Sequence, residues 1–273
     1  PTMSNPMSYE GRNVVVTGAY SGVGAALVEL LADLGAAAIT ALDIKEPEGP
    51  ITRYIPTNMG DPVAVDEAAA AIDAPVHVLF NNAGIAATFS PEDVMKVNTL
   101  GLMRLTDALL PKIPAGGAVV NTASIAGMNW PAHQAEITEL LSIDDWDKSV
   151  AWVEEHPEVV ADGYMFSKEC VQIFTMQAAK GMLANGVRIA SACPAPIDTP
   201  LLPDFKQTMG EQMIDWTAAN AGGRYVTAAE VANLLAYLGS DAASFISGVN
   251  VNIDNAFQGS MITGQVDFGE LAD

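Results

Sequence analysis

The sequence contains little positive charge. Only 12 of its 273 residues are Lys or Arg, against 33 that are Asp or Glu, and the formal net charge is −21. Proteins that bind nucleic acid through its phosphates carry clustered basic side chains, and the sequence has no such cluster. We therefore expect no nucleic-acid partner and an acidic, well-solvated surface.

Cysteine, histidine and long apolar runs are also scarce. Cys170 and Cys193 lie inside apolar segments and form no disulfide framework, which favours a cytoplasmic protein with reduced thiols. The histidines are scattered, so we expect no metal site. No stretch approaches the roughly 20 apolar residues that span a bilayer. The polar residues 1–10 show no signal peptide, so we expect no membrane association.

Short β-branched runs alternate with longer Ala- and Leu-rich stretches. The predicted strands are 13–17, 38–43, 52–55, 76–80, 118–122, 187–192 and 248–253. The predicted helices are 22–34, 62–72, 90–110, 162–183 and 227–238, the last with a Thr227/Glu230 capping box. Apolar strands separated by helices are typical of a parallel sheet covered on both faces. We predict a single α/β domain over residues 1–273, doubly wound, that binds ligands at the carboxyl ends of its strands.

The segment from about 129 to 161 interrupts this alternation. It holds Trp130, Trp146 and Trp152 among acidic residues, and it is predicted to form one or two inserted helices. The tryptophans either line an apolar pocket or a subunit interface, or they only pack the insertion against the body. Their spacing leaves both interpretations open.

A glycine-rich turn over residues 17–24 follows the first predicted strand and opens the first predicted helix. Gly18, Gly22 and Gly24 allow a tight turn and a close approach of the backbone to phosphate. The helix start offers free N–H groups to an anion. An ordinary strand-to-helix turn can also be rich in glycine, but the position after the first strand favours a dinucleotide site.

Asp43 ends the second predicted strand, about 20 residues after the turn, where an acid can hold the adenosine ribose of a dinucleotide. Its carboxylate can accept from both ribose hydroxyls and would repel a 2′-phosphate, so NAD is favoured over NADP. The nearby Lys45 weighs against this preference. The alternative is an aspartate that only caps the next turn.

Tyr164 and Lys168 lie four residues apart on a long predicted helix, so their side chains share one face. A phenol has a pKa near 10, and a general base near neutrality needs that pKa lowered by about three, or roughly 4 kcal/mol. A nearby ammonium and an oxidised nicotinamide ring would favour the phenolate. Ser124 follows the fifth strand and can bond a substrate oxygen. Asn98 is predicted in mid-helix, which is unfavourable unless it has another task.

The chain resembles the classical short-chain dehydrogenase/reductase family across nearly its whole length. The motifs that carry the resemblance are residues 17–24, 81–84, Asn98, Ser124, Tyr164 with Lys168, and 194–199. The resemblance implies a single Rossmann-type domain with a seven-stranded parallel sheet. It also implies an enzyme that interconverts an alcohol and a ketone with a nicotinamide cofactor.

The resemblance assigns a role to each member of a four-residue catalytic set. Tyr164 is the acid/base, and Ser124 positions the carbonyl or alcohol oxygen. Lys168 holds the nicotinamide ribose and lowers the pKa of the tyrosine, while Asn98 supports a water that links Lys168 to solvent.

The resemblance also implies a set of dinucleotide contacts from several strand ends. These are Gly18, Tyr20, Ser21, Gly22, Val23, Gly24, Asp43, Ile44, Asn58, Met59, Asn82, Ala83, Gly84, Tyr164, Lys168, Pro194, Ile197 and Thr199. Asn58 and Met59 would lie near the adenine, and Thr199 with the Ile197 backbone would contact the nicotinamide carboxamide.

The chain departs from the family pattern in a few places. Pro194-Ala195-Pro196 replaces the usual Pro-Gly, and Asn58 stands where an aspartate is common. The separation of Ser124 from Tyr164 is unusually long. A comparable insertion occurs in the bacterial 3α-hydroxysteroid dehydrogenase/carbonyl reductase subgroup, where it alters the substrate cleft and obstructs a subunit interface. The resemblance therefore implies a homo-oligomer, a dimer rather than a tetramer.

The leading hypothesis is an NAD-dependent dehydrogenase of a secondary alcohol. A bulky apolar substrate, such as a hydroxysteroid or an aryl or alicyclic alcohol, fits the insertion and the segment 203–222 with Met209, Met213 and Trp216. Core packing is the alternative role of those side chains. The alternative function is an NAD-binding sensor or scaffold without turnover, which the intact catalytic set opposes. Lys168 and the glycine turn likewise oppose a dehalogenase-like or lyase relative.

Overall fold

Apolar runs form the strands of a parallel sheet in the computed structural model, which describes residues 5–73 and 75–271. The strands are β1 (Asn13–Thr17), β2 (Ala38–Asp43), β3 (Arg53–Pro56), β4 (Val78–Asn81), β5 (Ala118–Thr122), β6 (Arg188–Pro194), β7 (Ile197–Asp198), β8 (Val226–Thr227) and β9 (Val249–Ile253). Seven of them form one sheet in the order β3-β2-β1-β4-β5-β6-β9, and β7 pairs with β8. All pairings within these two sheets are parallel. The predicted seven-stranded parallel sheet is confirmed.

Helices connect the strands and cover both faces of the sheet. They are α1 (Gly22–Asp33), α2 (Pro62–Ala71), α3 (Pro91–Met95), α4 (Gly101–Leu109), α5 (Gln134–Leu141), α6 (Trp146–Glu155), α7 (Pro157–Val160), α8 (Tyr164–Leu183), α9 (Leu202–Met209), α10 (Glu211–Asn220), α11 (Ala228–Gly239) and α12 (Phe257–Ile262). The predicted domain ends, and residues 1–4 of the segment expected to lack a signal peptide, lie outside the described residues.

The alternation of side chains along each strand builds two cores. Val14 and Val16 pack with Leu27 of α1 and Leu235 of α11 on one face. Val15 points to the other face, where α2, α4 and α8 supply the packing partners. Both faces of the sheet are therefore buried, as in doubly wound folds.

Polar side chains cap the N-termini of α2 and α11. Asp61 accepts from the Val63 amide at 2.9 Å at the start of α2. Thr227 and Glu230 form the predicted capping box of α11. These bonds satisfy amides that a helix start otherwise leaves without a partner.

The predicted helix over 90–110 is wrong as one continuous helix. The structure divides it into α3, a π-helical turn Lys96–Leu100, α4 and a 3-10 turn Leu110–Lys112. Gly101 lies directly against the Met59 carbonyl, where a Cβ atom would overlap that oxygen. The widened turn places Asn98 toward the loop after β4.

The insertion between β5 and α8 contains a 3-10 turn Trp130–His133, α5, α6 and the short α7, more helix than the one or two segments predicted. Its own core forms around Trp152, which is 5% exposed and stacks on His156 and Phe166 of α8. Trp130 and Trp146 pack against the same cluster. The packing alternative for these tryptophans is therefore the one the structure supports.

Within the described residues, no helix is both long and apolar enough to cross a bilayer.

Candidate active site

The turn between β1 and α1 packs closely against the loop after β4. Gly18 and Gly22 have φ angles of 66° and 55°, which side-chain-bearing residues rarely adopt. A Cβ atom on Gly18 would lie 2.7 Å from the Ala83 Cα, and one on Gly24 would overlap the Gly18 carbonyl oxygen. Gly24 therefore serves the close contact between helix and turn and does not line the cleft.

The start of α1 is suited to an anion. Ser21 is the N-cap but its side chain makes no capping bond, and the first turn carries no acidic residue. The first amides of a helix have no intrahelical partner, and its dipole favours negative charge there. The turn fits the pyrophosphate of a dinucleotide.

Asp43 lies at the carboxyl end of β2, beside this turn. Its Oδ2 accepts from the Tyr20 amide at 3.0 Å and its Oδ1 accepts from the Lys45 amide at 3.1 Å. The aspartate does cap the next turn, as the alternative interpretation expected. Each oxygen keeps a further acceptor site, so the same carboxylate can also accept from ribose hydroxyls. The Lys45 ammonium lies 5.2 Å from the Tyr20 ring centroid.

Asn82 joins the ends of three strands. Its side-chain amide donates to the Gly18 carbonyl at 3.2 Å, and its Oδ1 accepts from the Thr122 hydroxyl at 3.1 Å. The Thr17 hydroxyl oxygen accepts from the amides of Asn82 and Ala83 at 3.0 and 2.9 Å. The segment after β4 is therefore held against β1 and β5, at the edge where ligands bind in such sheets.

Tyr164 and Ser124 face each other across the cleft. Tyr164 is the first residue of α8 and follows Gly163, whose φ is 86°. A Cβ atom on Gly163 would lie 2.8 Å from the Pro91 carbonyl oxygen, so α3 and α8 meet closely there. The Tyr164 phenol lies close enough to the Ser124 side chain for that side chain to lower its pKa, and Ser124 Oγ accepts from the Ala126 amide at 3.1 Å.

Burial raises the pKa of Tyr164 to about 12, and the Asp162 carboxylate adds to the increase. The neighbouring Ser124 side chain lowers the pKa and so opposes both effects. Desolvation dominates among the groups of the protein, and the expectation that Lys168 and an oxidised nicotinamide lower the pKa of this tyrosine stays a prediction. The phenol is a proton donor at neutral pH.

Lys168 lies one turn further along α8, on the same face. Its ammonium donates to the Thr122 carbonyl at 3.0 Å and lies 5.8 Å from the centroid of the Tyr164 ring. Burial lowers the pKa of Lys168 to about 8. The ammonium is thus charged at neutral pH and stands beside the phenol, as the spacing predicted.

Asn98 acts behind the cleft, where it is 1% exposed. Its side chain forms two bonds with the Ile85 backbone, at 2.8 and 3.0 Å. It also donates to Ser167 Oγ at 3.1 Å, and that hydroxyl donates to the Tyr164 carbonyl at 2.6 Å. A Cβ atom on Gly84 would lie 3.4 Å from Asn98 Oδ1 and 3.6 Å from Lys168 Nζ. Asn98 and Lys168 therefore border the same small space, and the bridging water stays a prediction.

A cleft of about 1440 Å³ joins these parts. That volume exceeds the 300–1,000 Å³ usual for one small ligand, so it can hold a dinucleotide and a substrate together. The sequence-predicted cofactor residues line it, apart from Gly24. Sequence reasoning missed the four phenylalanines that line the cleft, because no local motif distinguishes them; they are Phe89, Phe205, Phe257 and Phe268. The Phe205 ring lies 4.8 Å from the Tyr164 ring, centroid to centroid.

Methionines and phenylalanines supply much of the cleft wall. Met165, Met209 and Met213 line it together with Phe89 and Phe205. Trp216 instead packs between Phe257 and Phe268, at centroid distances of 5.6 and 5.3 Å. Among the described residues that line the cleft, none is a tryptophan. The segment 203–222 therefore contributes methionines to the cleft and its tryptophan to the core.

The strand order, the glycine turn and the Ser124–Tyr164–Lys168 arrangement define a Rossmann-type oxidoreductase. A family model described as short chain dehydrogenase matches residues 12–136, and one described as Enoyl-(Acyl carrier protein) reductase matches residues 153–257. Dehydrogenase/reductase SDR family member 6 of Danio rerio is 30% identical over 272 residues, covering 91% of this chain and 98% of that protein. The chain belongs to the short-chain dehydrogenase/reductase family.

Further relatives support the alcohol chemistry. Coniferyl-alcohol dehydrogenase of Pseudomonas sp. (strain HR199 / DSM 7063) is 29% identical over 257 residues, covering 94% of this chain and all (100%) of that protein. The NADH complex of the 3-alpha-hydroxysteroid dehydrogenase from Pseudomonas sp. B-0831 has a TM-score of 0.79 at 25% identity, covering 93% of this chain and 99% of that one. This chain is an oxidoreductase of alcohols and carbonyl compounds that uses a nicotinamide cofactor. Other similar structures hold NADP, so the fold alone does not choose the dinucleotide.

Proposed function

We propose that the protein is an NAD-dependent dehydrogenase that interconverts a bulky apolar secondary alcohol and its ketone. The observation that carries the proposal is the Tyr164 phenol, which lies beside the Ser124 side chain and is flanked by the Lys168 ammonium. The arrangement lies in a cleft lined by several methionines and phenylalanines.

The side chains of the protein move the proton and hold the substrate oxygen. A nicotinamide, when bound, would supply the hydride chemistry, and its oxidised form would add positive charge beside these side chains. Ser124 donates a hydrogen bond to the substrate oxygen, while Tyr164 donates a proton to it in reduction and takes one in oxidation. Because burial raises the pKa of the phenol to about 12, the protein alone favours the donor role. Lys168 and the bound cofactor must together stabilise the phenolate that oxidation requires.

The choice of NAD rests on Asp43. Its carboxylate is held at the end of β2 by the Tyr20 and Lys45 amides, where it can accept from ribose hydroxyls and would repel a 2′-phosphate. A hydrogen bond to a charged group contributes about 1.5–3 kcal/mol, which corresponds to roughly ten- to 150-fold in affinity. We expect Asp43→Ala to weaken NAD binding at least tenfold and NADP binding far less, measured by titration of NADH and NADPH fluorescence. The exposed Asp73→Ala is the matched control, and equal weakening of both dinucleotides by Asp43→Ala would refute the selectivity argument.

The expected size and polarity of the substrate follow from the methionine and phenylalanine side chains that line the cleft. Methionine side chains and aromatic rings make favourable contacts with flat apolar ligands, and Phe205 and Met213 face this space. Two relatives are named for an aromatic alcohol and for a hydroxysteroid. We therefore expect aryl, alicyclic and steroid alcohols to be oxidised with a higher kcat/KM than small polar diols.

The deciding experiment is NADH formation from a panel of these alcohols. Tyr164→Phe should lower kcat by at least a hundredfold and leave NAD affinity within about twofold, because only the proton carrier is lost. Tyr237→Phe, on α11, is the matched control. Retained turnover in Tyr164→Phe would remove the proposed acid/base. Tight NAD binding without turnover of any alcohol would instead support a sensor.

The proposal includes the oligomeric state and the cellular location of the enzyme. We expect a homodimer, because α5 and α6 of the insertion pack beside α8 and cover a helical face that another subunit could otherwise use. Light scattering of the purified chain tests this, and a tetramer would contradict it. The buried, unpaired thiols of Cys170 and Cys193 support a cytoplasmic location.

A further inference from the structure

Gln172 is a buried amide that the catalytic set does not include. It lies two turns after Tyr164 and one turn after Lys168, so the three side chains follow one face of α8. The residue is 5% exposed, and its Nε2 donates to the Ser124 carbonyl at 2.8 Å. Buried polar side chains in folded proteins are hydrogen-bonded, and the partner of this one is the backbone of a catalytic residue.

Gln172 and Lys168 together hold the segment that carries Ser124. Lys168 Nζ donates to the Thr122 carbonyl at 3.0 Å, and Gln172 Nε2 donates to the Ser124 carbonyl. The Ser124 amide lies near the buried Cys193 thiol of β6 and lowers the pKa of that thiol. The Ser124 carbonyl also accepts from the Gly127 amide at 3.1 Å, within the turn itself. The Gln172 bond thus links the serine turn (residues 124–127) to α8, beside the bond from Lys168 to Thr122.

The packing around this bond leaves little freedom. A Cβ atom on Gly127 would lie 2.6 Å from the Lys168 carbonyl carbon and 2.8 Å from Gln172 Nε2. The absence of a side chain at position 127 therefore makes room for the amide. On the other side, Asn250 of β9 donates to the Gln172 carbonyl at 3.2 Å.

We propose that Gln172 is a positioning residue that sets the Ser124 hydroxyl against the Tyr164 phenol. The inference rests on the proposed function, in which Ser124 holds the substrate oxygen. Loss of the Gln172 bond lets the serine turn rotate about its remaining amide bonds, so the hydroxyl leaves its place opposite the phenol. A misplacement of about 1 Å in a reacting group can lower the rate about a hundredfold.

The first test compares Gln172→Met with Gln177→Met. Methionine nearly keeps the volume of glutamine but cannot donate, and Gln177 lies on the same helix, where it bonds Thr138 away from the cleft. We expect Gln172→Met to lower kcat ten- to a hundredfold, with KM and NAD affinity within about twofold of wild type. Because the Ser124 side chain lowers the pKa of Tyr164, displacing it should also move the pH profile of oxidation to higher pH. Gln177→Met should leave kcat and the profile unchanged.

The second test uses Gln172→Glu. A protonated carboxyl can donate to the Ser124 carbonyl, whereas a carboxylate cannot, and burial raises the pKa of a carboxyl. The reductase activity of this variant, relative to wild type, should therefore be higher at about pH 5.5 than at about pH 8. A role in packing alone would not produce this dependence.

The third test measures the local stability of the serine turn and does not depend on turnover. Amide hydrogen exchange over residues 124–128 should become faster in Gln172→Met, with or without NAD, and stay unchanged in Gln177→Met. Unchanged exchange in Gln172→Met would overturn the positioning role even if no alcohol is turned over. In an active wild-type enzyme, a kcat and pH profile in Gln172→Met equal to those of Gln177→Met would overturn it as well. A wild-type enzyme that oxidises no alcohol contradicts the proposed function instead.

Discussion

Lys168 carries its ammonium group in surroundings that disfavour charge, and this makes its effect on stability testable. The residue is buried, and burial lowers its pKa from 10.5 to about 8. Its Nζ donates to the Thr122 carbonyl at 3.0 Å. We predict that Lys168→Met abolishes turnover but changes stability in a strongly pH-dependent way.

The difference between the two pKa values sets the magnitude. A lowering from 10.5 to about 8 corresponds to about 3 kcal/mol of unfavourable free energy in the folded protein below pH 8. Between pH 8 and 10.5 the unfolded chain binds more protons than the folded one, so the free energy of unfolding of the wild type rises with pH there. Methionine removes this penalty but also removes a hydrogen bond from a charged donor, which costs about 1–3 kcal/mol.

The two effects nearly cancel at neutral pH, so the slope is the decisive quantity. We expect Lys168→Met to be as stable as the wild type, or up to about 2 kcal/mol more stable, near pH 7. The free energy of unfolding of the variant, relative to that of the wild type, should fall by about 3 kcal/mol as the pH rises to about 10.5. Urea unfolding followed by circular dichroism measures this at several pH values, with the exposed Lys180→Met as the control. A stability difference that does not change with pH would refute the reasoning.

Two further predictions concern the packing of the glycine turn and of the insertion. Gly24→Ala should lower the free energy of unfolding by about 1–3 kcal/mol and weaken NAD binding, because a Cβ atom there overlaps the Gly18 carbonyl. Calorimetry measures both effects, and neither is expected for the control Gly259→Ala, which has open space around it. Trp152→Ala should cost about 3–5 kcal/mol in urea unfolding while the folded fraction keeps its kcat, since Trp152 lies outside the cleft; a lower kcat at unchanged stability would contradict this.

The sheet could be predicted from the sequence because its strands are buried on both faces. Residues 118–122 form a strand in the prediction and in the structure alike, since an apolar β-branched run between glycine and polar residues leaves few alternatives. The fourth strand is displaced, predicted at 76–80 and found at Val78–Asn81. Pairing with β5 decides that end, and such a long-range contact is not readable from local sequence.

The low helix preference of asparagine predicted part of the role of Asn98 but not the local backbone. Its poor fit to a helix interior indicated another task, and the structure places it in a π-helical turn bonded to Ile85 and Ser167. The broken helix itself was not predicted, because apolar periodicity continues through it. Gln172 and Phe205 were missed for a related reason. Gln172 meets Ser124 across 48 positions of chain, and only the fold shows that they are neighbours.

The insertion and the helices α9 and α10 make different contacts, and the difference separates their roles. His133 and the buried Glu169 of α8 lie 2.7 Å apart, Nδ1 to Oε2, and burial raises the pKa of that carboxyl. Removing either partner would leave a buried polar group without its bond, so the pair ties the insertion to the face of α8 that points away from Tyr164. The cleft instead receives Phe205 of α9 and Met213 of α10. The insertion therefore stabilises the helix that carries the catalytic pair, while the segment that follows β7 supplies apolar side chains to the cleft.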